Sequence, residues 1–145
     1  MLRVAHFRRM LAFDAWANDA VLDGLARTKS PPGECVRWLA HIHAARDLRL
    51  HRLQQTGTTV PVWPALGLDE VPGYRDAVSA RRVAWLDALT PGALEREIAY
   101  VNSRGEPFES RAGDILAHLT HHGAHHRGQI ASAMRAAGLE PVTTD

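Results

Sequence analysis

Residues able to bind a metal are concentrated near the C-terminal end of the chain. The stretch "HLTHHGAHHRGQI", from His118 to Ile130, contains five of the nine histidines. Imidazole is the commonest metal ligand among side chains, and it also titrates near neutral pH. The stretch could therefore form a metal site, a pH-sensitive surface or the basic face of an ordinary helix.

Helical spacing divides these five histidines between two faces. Side chains four residues apart on a helix lie about 40° apart, so His118, His122 and His126 form one stripe. The stripe also carries apolar residues that are expected to face the core, namely Ile115, Leu119, Ile130 and Ala133. His121 and His125 form a second pair on a face that we expect to meet solvent.

The inward stripe favours a metal site over a set of isolated core histidines. Each buried imidazole without a partner costs roughly 1 to 3 kcal/mol, whereas one shared cation satisfies several. Two imidazoles four residues apart can both reach one cation at about 2.0 to 2.1 Å. We favour His122 and His126 as this pair, although His118 and His122 have the same spacing. A third protein ligand is then expected from another helix.

The second helix offers three histidines as that third ligand. His41 lies beside Ile42 on the predicted inward stripe of this helix, which makes it the preferred candidate. His43 lies about 200° round the helix from His41 and should point away, although a position on the flank remains open. His51 is close to Arg52 near the helix end and is interpreted as a solvated residue.

The elements that must position these side chains are mainly helices. Apolar spacing and helix-breaking residues predict four helices, over residues 3–27, 34–55, 74–89 and 110–138. The last helix should take Ser110 as its N-cap and Gly138 as its C-cap. "TGTTVPVWPALGLDEVPG" predicts a long loop anchored by Trp63, and "EIAYVNSRGEPFES" predicts a hairpin or extended crossing. We therefore predict an all-α fold, a four-helix bundle with a short irregular or hairpin segment before the last helix, in one domain over residues 1–145.

Composition narrows the partners and the compartment. The 17 basic residues nearly balance the 16 acidic ones, so we expect neither nucleic acid nor an anionic membrane as a partner. Cys35 is the only cysteine, which excludes an intramolecular disulfide and a multi-thiolate zinc site and fits a reducing compartment. The charged N-terminal stretch "MLRVAHFRRMLAFDAW" does not read as a signal peptide, and no stretch predicts a membrane span. We expect a cytoplasmic protein that acts on a small molecule.

Four stretches together resemble the DinB/YfiT-like family of metal-dependent enzymes. "LAHLTHHGAHHRGQI" is similar to the family's last-helix signature, which reads approximately Asn-His-x-x-x-His-Arg-Gly-Gln. "FDAWANDAVLDGL" resembles the family's first helix, and "WLAHIHAARDL" resembles the segment that donates its first metal ligand. The ending "GLEPVTTD" also resembles the family's, so the resemblance extends over nearly the whole chain.

The resemblance implies a DinB/YfiT-type four-helix bundle that binds a divalent cation, commonly zinc or nickel. Carried over by position, the metal ligands are His41, His122 and His126, with coordination positions left open for water or substrate. The chain departs from the signature at His121, where asparagine is frequent, and at His125, where an aromatic residue is common. An auxiliary or alternative histidine ligand therefore remains open.

Other polar residues of these helices have two interpretations. Asp14 and Asn18, four residues apart on the first helix, could orient the ligating imidazoles or form ordinary hydrogen bonds. Arg127 is interpreted as a structural clamp, paired with an acidic residue of another helix or subunit, and Gly128 as a close helix-packing position, in preference to catalytic roles. Gln129 could lie near the inward stripe. No catalytic residue is assigned.

Three neutral imidazoles leave a bound cation its full double charge, which suits Lewis-acid chemistry. The resemblance implies a thiol S-transferase that uses mycothiol, bacillithiol or glutathione as co-substrate and forms a homodimer. A metal-dependent hydrolase is the alternative enzyme, although the His-Glu-x-x-His motif of common zinc hydrolases is missing. The third hypothesis is a metal-binding or stress-response protein without catalytic activity.

Overall fold

The computed structural model describes residues 4–144, and most of them are helical, as predicted. In chain order the elements are α1 (Val4–Ala26), α2 (Gly33–Gln54), α3 (Val71–Asp87), α4 (Pro91–Glu95), β1 (Glu97–Val101), β2 (Pro107–Arg111) and α5 (Ala112–Ala136). Residue 3, where the first helix was expected to begin, lies outside the described residues. Within them, no helix is both long and apolar enough to cross a membrane.

Prolines mark helix starts more often than the sequence pattern suggested. α3 begins at Val71, three residues before the predicted start, because Pro72 lies in its first turn. A proline there loses nothing, since N–H groups in the first turn have no partner within the helix. Pro91 likewise begins α4, a short helix that was not predicted.

The predicted hairpin is present, but it changes how the last helix starts. β1 and β2 pair antiparallel and bring Ser110 opposite Ile98. The Ser110 hydroxyl lies 3.2 Å from the Tyr100 hydroxyl, so the prediction that Ser110 caps α5 is wrong. Arg111 is the residue before the helix, and α5 follows the strand without a loop. Gly138 adopts a left-handed φ of 73° just beyond the other end, as its expected terminating role requires.

α2 and α5 pack against each other, α1 packs on both, and α3 packs on α2. The apolar core has two clusters along α2 and α5. One joins the end of α2 to the start of α5, around Leu53 and Leu116, and the other joins the start of α2 to the end of α5, around Leu39 and Ile130. The stretches of α2 and α5 between these clusters, together with Asp14 and Asn18 on α1, carry most of the polar side chains of the interior.

A buried ion-pair network in this polar layer joins three helices. Asp14 on α1 accepts hydrogen bonds from Arg46 on α2 and from Arg127 on α5, the latter at 2.5 Å. Arg127 also donates to the Asn18 side-chain oxygen at 2.7 Å. All four side chains are buried. The clamp role of Arg127 is confirmed, and Asp14 and Asn18 bind arginines rather than orienting the imidazoles of the predicted site.

A glycine on α5 makes room for this network, but it is not the predicted one. A Cβ atom on Gly123 would overlap the Asp14 carboxylate and lie 2.9 Å from an Arg127 nitrogen. A Cβ on Gly128 would have no described atom within 4 Å beyond its own helix backbone and chain neighbours. The prediction that Gly128 is a close packing position is therefore wrong, and Gly123 has that role.

Candidate metal centre

Three histidines from two packed helices meet in the interior. His41 comes from α2, and His122 and His126 come from successive turns of α5. One nitrogen from each lies within 4.8 Å of the others, and the His41 and His122 Nε2 atoms are 3.0 Å apart. His41 and His126 are buried, and His122 is partly buried. The structure thus brings together the three residues on which the sequence interpretation settled.

Hydrogen bonds orient two of the three rings. Nδ1 of His41 donates to the Val62 backbone carbonyl, and Nδ1 of His126 donates to the Gln129 side-chain oxygen at 2.6 Å. Because oxygen acceptors favour a proton on Nδ1, the opposite nitrogen, Nε2, keeps its lone pair free. Both rings are therefore held in the tautomer that leaves Nε2 as a ligand atom.

The environment keeps these imidazoles uncharged. Burial, followed by the nearby Arg49 charge, lowers the pKa of His122 to about 3. Burial is also the largest cause lowering the pKa values of His41 and His126, although their Nδ1 hydrogen bonds act the opposite way. Neutral imidazole is the form that binds metals, so these rings need not lose protons first at pH 7.

The long loop between α2 and α3 covers one side of the cluster. Trp63 stacks on the His41 ring at 3.6 Å between centroids, with the planes 5° apart, and Arg37 lies over the Trp63 ring at 4.9 Å. Trp63 remains 45% exposed. This residue does anchor its loop, as predicted, but it does so directly on a histidine of the cluster.

A cleft of about 380 Å³ gives access to the cluster from another side. His41 and His122 form part of its wall, and the other lining residues come from α2, the covering loop and the hairpin: Ala45, Leu48, Arg49, Arg52, Val62, Tyr100, Asn102, Ser103, Arg104 and Phe108. Asp and Glu are missing from these described lining residues, whereas three are arginines. The cleft is therefore large enough for a small molecule and positively charged.

The remaining histidines of α5 lie outside the cluster. His121 and His125 are exposed, as predicted. His118 is exposed as well, which contradicts the expectation that it faces inward. Its ring instead lies 5.8 Å from that of His122, in a stacked arrangement at the edge of the site.

His43 is the main surprise on α2. We expected its side chain to point away from the interior, yet it is only 1% exposed. The reason is that α3 packs on α2, and the Arg75 charge on α3 helps to lower the His43 pKa to about 3, after burial and Arg46. Neither ring nitrogen has a hydrogen-bond partner within residues 4–144. The consecutive small and apolar residues around His43 were a signal that α2 is buried on more than one face.

Fold and cluster together define a mostly helical protein with three clustered histidines that could hold a metal ion. The chain belongs to the DinB family, whose sequence profile matches residues 25–145. The match includes all three histidines and begins at the end of α1. A search among curated proteins finds no match to the chain.

Proposed function

We propose that this protein is a metal-dependent thiol S-transferase acting on a small electrophile, with His41, His122 and His126 as the metal ligands. The observation that carries the proposal is the convergence of three imidazoles, two of which are fixed in the Nε2-free tautomer. We take α1, α2, α3 and α5 as the family's four-helix bundle in a single domain.

The donor set fits a divalent transition metal. Three imidazoles without thiolates suit zinc or nickel, and neighbouring nitrogens of a tetrahedral zinc site lie about 3.4 Å apart. The 3.0 Å between the His41 and His122 nitrogens is close to that value. Two imidazole nitrogens this close attract each other only if one carries a hydrogen, as in an N–H···N hydrogen bond, or if a cation lies between them.

A cation bound there supplies Lewis-acid activation of a thiol or a water molecule. The residues of the chain bind and orient: Val62 and Gln129 hold two rings, and Trp63 limits water on one side. Because the described cleft lining contains no carboxylate that could act as a general base, a nucleophile brought by a thiol co-substrate is favoured over hydrolysis.

Metal binding is tested first, with a histidine variant and a matched control from the same helix. We expect the purified protein to contain zinc or nickel, and added metal to raise its melting temperature. His122→Ala should lose both effects, whereas His121→Ala, which changes an exposed histidine, should retain them. A metal content below about a tenth of an equivalent with no thermal shift would contradict the metal site.

Catalysis is tested with metal-loaded protein, an electrophilic acceptor and each of glutathione, bacillithiol and mycothiol. Mass spectrometry should detect a thiol adduct that requires His122 and does not require His121. Hydrolysis of the acceptor without adduct would favour the hydrolase. Metal binding with silence in both assays would favour a protein that only binds the cation.

We further propose a cytoplasmic homodimer. The lone cysteine, Cys35, is buried and unpaired, which fits a reducing compartment. Phe13 and Trp16 on α1 are exposed, and their ring centroids are 5.6 Å apart. Together they offer apolar surface to a second copy of the chain. Analytical ultracentrifugation of the wild type and of Trp16→Glu tests this, and a monomeric wild type would contradict it.

A further inference from the structure

Arg49 lies two helical turns after His41 on α2 and has no acidic partner among residues 4–144. In the part of the chain that the structure describes, its side chain makes one hydrogen bond, to the Ala45 carbonyl of its own helix at 3.4 Å. Within residues 4–144 no carboxylate comes within 4.0 Å of it, whereas Arg46 on the same helix is paired with Asp14. A partly buried guanidinium is normally compensated by an anion, because the charge loses solvation.

The charge on Arg49 is retained despite this environment. Burial and the neighbouring Arg52 lower the pKa of Arg49, which is about 10, so the side chain stays cationic at neutral pH. Arg52 is already held in place, since it donates to the Val101 carbonyl at 3.2 Å and lies over the Tyr100 ring at 4.3 Å. The two arginines therefore place two positive charges close together. Among the described residues, Arg49 makes fewer hydrogen-bond and cation–π contacts than Arg52 does.

Both arginines line the cleft that opens on His41 and His122. They also line an adjoining cleft of about 370 Å³ that reaches His118. Asp114 borders this second cleft without pairing with either arginine. Arg104, the third arginine of the first cleft, is different because it pairs with Glu106 at 3.2 Å near the surface.

We propose that Arg49, assisted by Arg52, binds the anionic group of the small molecule that reacts at the three-histidine centre. This inference deepens the proposed function and rests on it for the position of the reacting end. Arg49 is eight positions after His41, a rise of about 12 Å along the helix, and both side chains line one cleft, so one small molecule can contact both. The substrate class is therefore a carboxylic acid or a phosphate ester rather than a neutral or cationic electrophile.

Binding of two unreactive probes, succinate and inorganic phosphate, tests this by isothermal titration calorimetry on the full chain. Arg49→Met removes the charge and keeps an apolar stem, and it should weaken binding of the preferred probe at least about tenfold. Arg104→Met, the matched control in the same cleft, should change it less than about twofold. Arg49→Lys, which keeps a charge, should bind better than Arg49→Met and shows whether a loss comes from misfolding.

The outcomes separate this inference from the metal proposal. If His122→Ala still binds the probe while Arg49→Met does not, the anion site stands whatever the metal assays show. If His122→Ala abolishes binding and Arg49→Met does not, the anion binds elsewhere in the centre and the inference is overturned. Equal losses in Arg49→Met and Arg104→Met would also overturn it, because they would indicate nonspecific attraction. The stronger of the two probes identifies carboxylate or phosphate as the recognised group.

Discussion

At the scale of the residue, Asp14 is a buried carboxylate that accepts hydrogen bonds from two arginines, Arg46 and Arg127. Asp14→Asn keeps the shape but leaves two buried guanidinium groups without a counter-charge. We expect a loss of about 3 to 5 kcal/mol in the free energy of unfolding. Urea denaturation measures this, with Asp19→Asn as control, because Asp19 is 49% exposed in its pair with Arg75 and should cost less than about 1 kcal/mol. Similar losses in both variants would show that the buried pairs add little.

A change at Gln129 should show how much the orientation of the His126 ring contributes to the proposed metal binding. Gln129→Met removes the oxygen that accepts from His126 and keeps a side chain of similar length. We expect the proposed metal affinity to fall by about 10- to 100-fold, because the ring loses its fixed orientation and tautomer. Competition with a chromophoric chelator measures the affinity, and Gln54→Met, at an exposed position, is the control. An unchanged affinity would mean that packing alone orients His126.

At the scale of the element, two glycines of α5 differ in the space around them. Gly123→Ala forces a methyl group against Asp14 and Arg127, so we expect destabilisation by at least about 1 kcal/mol. Gly128→Ala meets open space and gains helix propensity, so we expect stabilisation of up to about 1 kcal/mol. Thermal unfolding of the two variants checks both signs. A stabilised Gly123→Ala protein would show that the ion-pair network can shift freely.

Helical periodicity was sufficient for features that depend on one helix alone. It separated His122 and His126 from the exposed His121 and His125, because both pairs differ only in direction around α5. It failed for His43 and His118, since their burial depends on which neighbouring helix covers each face. The small and apolar residues around His43 indicate that α2 is buried on more than one face, but the pattern of one helix does not show which neighbour covers each face.

Connections were harder to predict than helices. Ser110 has the chemistry of an N-cap, yet strand pairing with β1 holds it in the hairpin, and pairing is a nonlocal effect. Val62 could not be predicted as a site residue for another reason: it contributes a backbone carbonyl, which every residue has. Arg49 gave no signal in the sequence, because an unpaired charge is recognised only when all its neighbours are known.

At the scale of the whole molecule, the C-terminal segment is attached to the opposite end of the chain by a small contact. The Val142 side chain occupies the space where a Cβ atom of Gly24 on α1 would lie. Gly24→Ala should therefore displace the segment after α5 while the helices remain folded. Hydrogen exchange over residues 139–144 should become faster, with Gly33→Ala, which meets open space, as the control. Unchanged exchange would mean that other contacts hold the segment.

The position of Trp63 beside His41 should make its fluorescence sensitive to metal binding at the proposed centre. Its indole ring lies parallel to the His41 ring at 3.6 Å, so its excited state is sensitive to whatever His41 binds. Nickel should quench the intrinsic fluorescence of the protein strongly, whereas zinc should shift it without comparable quenching. Trp63→Phe should remove most of the response, although Trp16, Trp38 and Trp85 remain. The loop that covers the cluster thus contains an intrinsic fluorophore with which the proposed cation binding can be tested without a label.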